Sequence, residues 1–400
     1  MFRVGQGWLI YEITGNPWSL GLVGAANAIP GIFFNLFGGV FADRLDKRRL
    51  IMFTQLTTGG LVFLLATLTL FDVVEAWHVL VVAFLAGSVE AFDNPARQAL
   101  YPHLIDRKVM MSAVAMNSVI WQGTRIIAPG IAGILIDLIN TQSALYISGM
   151  GFVMLAVVMG RLKIPAIPRG ALGNPLQDIK EGLKFIKVHS VFSFLISMTF
   201  FNSFFGMAYV MLMPIFAVDI LDVGAKGQGL LLGMSGAGAL VNTLYIGARG
   251  SVPHRGLAII AGAVLFGLAV AAFALTAEYV GSLSLAMGLM FIMGIFNSLY
   301  MISIQSSLQI MVPDRMRGRV MGFYGMTWSI MPLGGLQASA LTSIWNAPIA
   351  IAAGGLAVAA FALGTSLFNS TVRNLSSNLS PIIDEAPQDT ALEPAVQKDD

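Results

Sequence analysis

The sequence contains no cysteine. Disulfides, thiolate metal sites and thiol nucleophiles are excluded together. Histidine is nearly as scarce: His78, His103, His189 and His254 are scattered at segment ends and form no ligand cluster, so no metal site is expected. Charge is the third shortage. Charged types make up 11% of the 400 residues, against roughly 25% in a soluble domain. The 23 Lys plus Arg nearly balance the 21 Asp plus Glu, and a net charge of +2 is no nucleic-acid footprint. There is no nucleotide-phosphate loop and no acid, base and nucleophile gathered near one interface, so neither an enzyme nor a cofactor is expected. What is present is apolar: hydrophobic types reach 56% and the mean hydropathy is +0.78. A chain of this kind is solvated mainly by lipid.

Crossing a hydrocarbon core of about 30 Å takes about 20 apolar residues as a helix, because lipid cannot satisfy free backbone groups. Charge-poor stretches of that length predict eleven spans: Leu20 to Phe41, Leu50 to Phe71, Trp77 to Phe92, Val114 to Leu138, Ala144 to Gly160, Val191 to Val218, Gly229 to Ala248, Leu257 to Ala277, Gly281 to Ile304, Val320 to Ile344 and Ala347 to Phe368. A twelfth, Met1 to Ile13, reaches only about 20 Å before Thr14-Gly15-Asn16-Pro17 breaks it. It carries neither the basic region nor the cleavage site of a signal peptide.

Basic residues flanking spans are retained on the cytoplasmic side. One alternate set of loops holds eighteen of them, from Arg44 through Arg97, Arg161, Lys187 and Arg249 to Arg319; the opposite set holds Lys226 alone. This places the central linker and the C-terminus in the cytoplasm. The organisation expected is an all-α integral membrane protein with a six-helix bundle at residues 1–160, a linker at 161–190, a second six-helix bundle at 191–368 and a disordered acidic tail at 369–400. The linker stretch Leu176 to Val188 sets Ile179, Leu183, Phe185 and Ile186 against Lys180, Lys184 and Lys187, reading either as a helix on the inner membrane surface or as a solvated one. The halves echo one another. Gly24 and Gly38 recur with the same spacing as Gly233 and Gly247, and Asp106-Arg107-Lys108-Val109-Met110 is echoed by Asp314-Arg315 with Arg319-Val320-Met321. A parallel repeat of six spans fits a two-bundle transporter.

After the second span the chain reads Gly39-Val-Phe-Ala-Asp43-Arg44-Leu-Asp46-Lys47-Arg48-Arg49. This resembles the signature loop of the major facilitator superfamily, with Gly39, Asp43 and Arg44 matching and Asp46 replacing the usual glycine. Gly7 to Gly15 and Phe92-Asp93-Asn94-Pro95-Ala96-Arg97-Gln98-Ala99 resemble the branch that includes macrolide efflux proteins and the enterobactin exporter. The resemblance covers Met1 to about Phe368. It implies the twelve-helix major facilitator fold with a first helix truncated at its N-terminus, and about 10 to 20 further apolar residues upstream of Met1 are expected. A carboxylate at the inner end of a span can face a neighbouring helix end and an Arg, forming a contact that breaks when helices separate. Gly39, Asp43, Arg44, Arg48, Asp93 and Arg97 are the expected conformational latch, with Asp43 and Arg44 favoured for it, while the run Lys47 to Arg49 reads better as positive-inside anchoring.

Ionisable groups inside a bilayer cost about 2.5 to 3.5 kcal/mol or more, which makes them functional candidates. They concentrate in the N-terminal half: Arg125, Arg3, Glu12 and Glu90. If transport is coupled to protons, the titrating group is expected there, Glu12 first and Glu90 second. Glu12 is otherwise an ordinary acid at the outer interface. Arg125 cannot release a proton but can hold a carboxylate, and Arg3 can snorkel or pair. Gly123, Pro129, Gly130 and Gly133 combine small residues with a proline as a bendable helix contact. They resemble the fifth-helix motif associated with export, with Ala128 at its first glycine. Polar and aromatic residues within apolar spans are the expected cavity lining: Asn27, Asn35, Gln122, Asn202, Phe204, Phe205, Tyr209, Asn242, Asn297, Tyr300 and Trp328. Each alone reads as interhelical glue as well. The 22 methionines fit an adaptable surface, most of them facing lipid.

The expected activity is secondary transport by alternating access, with proton-coupled export of an amphipathic small molecule such as a drug or siderophore. A lipid or lysophospholipid translocase and a non-transporting sensor are the alternatives. The expected setting is the inner cell membrane, as a multi-pass monomer, with a small-molecule substrate, protons and the lipid bilayer as partners and no nucleic acid.

Overall fold

The computed structural model describes residues 1–104, 123–124, 127–162, 175–249 and 254–368. The helices are α1 Phe2–Thr14, α2 Pro17–Arg44, α3 Lys47–Leu70, α4 Ala76–Leu104, α5 Ile127–Leu138, α6 Thr141–Arg161, α7 Pro175–Val188, α8 Ser190–Ile220, α9 Gly224–Arg249, α10 Arg255–Val280, α11 Leu283–Met311, α12 Asp314–Ser329, α13 Met331–Thr342 and α14 Ala347–Phe368. Among the described residues, eight helices are long and apolar enough to cross a membrane.

Local chemistry sets the boundaries. α1 ends where Gly15 takes a left-handed conformation (φ 57°) and its N–H bonds the Tyr11 carbonyl. Pro17 then starts α2, its missing N–H costing nothing in a first turn. Asp46, which stands where the signature loop has glycine, caps α3: its carboxylate accepts the Arg49 backbone N–H at 3.2 Å. The departure from the motif therefore has a local use.

The span expected as continuous from Val320 to Ile344 is two helices, α12 and α13, meeting at Ile330. Pro332 is the cause, since it cannot donate to the Trp328 carbonyl four residues back. In α8, residues Asn202–Gly206 and Phe216–Ile220 form π-helical turns, features that recur at functional places in helices.

The packing repeats between halves. α2 packs on α4 and α3 on α6, while α9 packs on α11 and α10 on α14. These are the second-with-fourth and third-with-sixth pairings of each set of six. Backbones touch where glycine permits it: a Cβ on Gly294 would overlap the Ser235 carbonyl, and one on Gly238 the Phe291 carbonyl.

One further expectation changes. α7 buries Phe185 and Ile186 in a cluster with Phe192, Met316 and Val320, and Glu181 pairs with Arg319 of α12. It is docked on the C-terminal half rather than laid wholly on lipid, although Val188 stays exposed. Met198, Met207, Met213, Met290 and Met293 are buried, where a flexible thioether fills irregular gaps between helices, while most of the other described methionines stay at least partly exposed.

Candidate functional site

A cavity of about 210 Å³ lies between the halves. From the N-terminal half it is lined by Arg3, Asn27, Gly31, Glu90 and Asn94; from the C-terminal half by Gly325, Trp328, Ser329 and Pro332. Glu90 sits roughly 21 Å along α4 from its start at Ala76, about two-thirds of the way through the span Ala76–Arg97. Its carboxylate is paired with the Arg3 guanidinium. More than half of each side chain is accessible from the cavity, so the pair is watered rather than sealed.

The pair is positioned by polar contacts packed behind it. Asn27 Nδ2 donates to Gln6 Oε1 (3.2 Å) and to the Val23 carbonyl (3.0 Å), and Gln6 Nε2 donates to the Val79 carbonyl (3.3 Å). Gln6 is fully buried. It ties α1 to α2 and α4 and so fixes the helix that carries Arg3. The α12–α13 break brings Trp328, Ser329 and Pro332 to the opposite wall.

The cavity has closed and open sides. Toward the end opposite the basic loops the halves touch backbone to backbone. A Cβ on Gly133 of α5 would overlap the Ala225 carbonyl of α9, and one on Gly21 of α2 would lie 2.8 Å from the Leu336 Cα of α13. Tyr11 of α1 donates its hydroxyl to the Asp219 carboxylate of α8. Toward the basic end, a Cβ on Gly31 or Gly325 would meet open space.

Glu12 is elsewhere. It is exposed at the end of α1 opposite the basic loops, accepts a hydrogen bond from Thr141 Oγ1 (2.8 Å), and borders a separate cavity of about 490 Å³ shared with Asp72 and Asp137. Arg125 and Gln122 lie outside the described residues, as do the side chains of Asn35, Asp43 and Arg44; Gly39 lies within α2. Pro129, Gly130 and Gly133 lie at the α5–α9 contact, whereas Gly123 faces open space.

Of the expected cavity residues, Asn27 and Trp328 line the central cavity. Others hold the C-terminal half together. Asn202 donates to Asn297 at 3.5 Å, Tyr209 and Ser235 hydroxyls lie 3.4 Å apart, Phe205 packs on Phe201 and Phe204, and Tyr300 is fully buried. Asn242 is buried within the same half, and Phe204 stacks on Phe200. Gln6, Asn94 and Ser329 were missed from sequence. Gln6 had a signal: it follows Arg3 by three residues, on one helix face of an apolar segment.

Asp93 and Arg97 tie helices within one half. Arg97 Nε bonds Asp93 Oδ2 at 2.5 Å, and Asp93 Oδ1 accepts from Thr54 Oγ1 (2.6 Å) and Gln55 Nε2 (3.0 Å) of α3. Arg48 likewise donates to the Met159 and Gly160 carbonyls, which end α6. Asp93→Ala is expected to cost about 3 kcal/mol, because it strands Arg97 and Gln55 together. A thermal-unfolding comparison with Asp93→Asn, which keeps an acceptor, checks this; equal melting temperatures for Asp93→Ala and the parent would refute it.

The sequence profile of a family described as transmembrane secretion effectors, within the major facilitator superfamily, matches residues 1–398. The chain belongs to that superfamily. Its members are transporters, not enzymes, and this major facilitator chain is a multi-pass membrane transporter. It is similar to the staphyloferrin A transporter of Staphylococcus aureus, 23% identical over 86% of each chain. It is also similar to the multidrug efflux pump Tap of Mycolicibacterium fortuitum, 26% identical over 84% of this chain and 83% of that one. Macrolide efflux protein A of Streptococcus pyogenes is 21% identical over 64% of each. Among solved structures, the nucleoside transporter NupG superposes with a TM-score of 0.67 at 16% identity, covering 92% of this chain and 96% of that one. A bacterial homologue of the lysosomal transporter Spinster gives 0.68 at 14% identity, covering 93% of both. The major facilitator fold is thus common to all three.

Proposed function

We propose that this major facilitator protein exports amphipathic small molecules by alternating access in exchange for protons, with the Glu90 carboxylate taking proton and substrate in turn. The Arg3–Glu90 pair in the cavity between the halves carries the reading. Export against a gradient that drives protons inward requires that proton and substrate bind in turn, never together. One carboxylate meets that condition for a cationic amphiphile, since a proton and a substrate cation each neutralise the same charge. Arg3 holds Glu90 in place when the cavity is empty, and the neutral wall around Trp328 receives the apolar part of the substrate. Relatives named as efflux pumps support the direction.

In this reading the basic loops, the central linker and the C-terminus face the cytoplasm of a cell with the protein in its inner membrane, working as a monomer, and the cavity opens to that side. The test is accumulation of a hydrophobic cationic dye by inside-out vesicles carrying a proton gradient. Accumulation that vanishes when the gradient is collapsed is expected. Gradient-independent exchange of a fluorescent phospholipid, with no dye accumulation, would replace the reading by lipid translocation.

A further inference from the structure

We propose that the Tyr11 hydroxyl and the Asp219 carboxylate form an outer latch, holding the end opposite the basic loops shut and releasing when the halves rock apart. Tyr11 lies in the last turn of α1 and is buried. Asp219 lies in the π-helical turn that ends α8. The two are 208 residues apart and belong to different halves. Around them Leu9 and Ile10 of α1 share a core cluster with Leu212 and Ile215 of α8. That apolar packing is non-directional, tolerating small slides. The hydrogen bond is not. An O–H···O⁻ contact has an optimum near 2.5 to 2.7 Å, so separation of the outer ends by a few ångströms removes it entirely while leaving Asp219 able to take water.

The next residue shows which half α1 follows. Glu12 accepts from Thr141 of α6, within the N-terminal half, and Gln6 binds Asn27 and the Val79 carbonyl of the same half. Consecutive residues on a helix point about 100° apart, so Tyr11 grips one half while Glu12 grips the other. Among the described residues, four polar contacts hold α1 to its own half, the Arg3–Glu90 pair included, and one crosses to α8. On opening, α1 therefore stays with the N-terminal half, and the Tyr11–Asp219 bond is the one that parts. The latch rests on alternating access, not on proton coupling or on Glu90.

The natural absence of cysteine makes the test direct. Phe71→Cys and Tyr279→Cys place spin labels on exposed outer helix ends of different halves, and pulsed dipolar spectroscopy reads the distance between them. In this background Tyr11→Phe is expected to raise the ratio of open to closed outer ends about ten-fold or more, the scale of losing a hydrogen bond to a charged acceptor. Asp219→Asn, which keeps an acceptor, is expected to shift it less. The double variant is expected to match Tyr11→Phe alone, because the contact is already gone. Gly133→Val opens the outer ends by steric means and serves as the reference. Unchanged distances in Tyr11→Phe, with Gly133→Val open, would overturn the latch and leave alternating access standing. Purely additive shifts from the two single variants would overturn it as well. Outer ends that stay closed in every variant would overturn alternating access and the latch with it.

Discussion

Glu90→Gln is expected to reduce gradient-driven dye accumulation to the level of passive leak, the largest functional loss of any single substitution in the cavity. Glutamine keeps the size of the side chain and an acceptor for Arg3, but it cannot exchange a proton. It also leaves the Arg3 charge uncompensated in a cavity shared with a cationic substrate, so like charges meet where opposite ones did. Collapsing the proton gradient should make no further difference to this variant. Glu12→Gln, by contrast, changes an exposed group at the outer end and is expected to retain gradient dependence. Side-by-side vesicle assays decide the matter: retained gradient-driven accumulation in Glu90→Gln, or its loss only in Glu12→Gln, would overturn the role proposed for Glu90.

Gly133→Val is expected to slow turnover about ten-fold to one hundred-fold for a different reason. A Cβ there would overlap the Ala225 carbonyl and lie 3.0 Å from the Gly229 Cα. Both are backbone atoms that cannot rotate away, so the conflict persists until α5 and α9 separate. Overpacking of this kind costs about 1 to 3 kcal/mol, and here it falls on the closed outer state alone, because the atoms met all belong to the opposite half. The protein should fold and insert normally yet populate the outer-open form about ten-fold to one hundred-fold more. Gly123→Ala is the control, since a Cβ at Gly123 meets nothing within 4 Å. Equal transport rates for Gly133→Val and the parent would refute the closed contact.

Eight of the eleven expected spans were legible because lipid imposes one rule on every crossing segment. Part of Val114 to Leu138 lies outside the described residues, and α1 stops at Thr14 as the Gly15-Asn16-Pro17 break implied. The small residues of Pro129 to Gly133 were readable as a helix contact, though not that it joins the two halves. Other features depend on three dimensions. Arg3 and Glu90 are 87 residues apart, and no periodicity links an acid on one helix to a base on another. Burial likewise separates polar residues that look alike in sequence: Asn27 reaches the cavity while Asn202 and Asn297 bind each other. The break at Ile330 was obscured for a further reason. Membrane helices tolerate proline when neighbours satisfy the freed carbonyl, so Pro332 alone did not announce two helices.

The cavity has a charged wall from one half, Arg3 and Glu90, and a neutral wall from the other, Gly325, Trp328, Ser329 and Pro332. In the proposed cycle, energy supply and chemical selectivity fall to separate stretches of the chain. On that reading, substitutions in α12 and α13 are expected to change which compounds are accepted while dependence on the proton gradient persists.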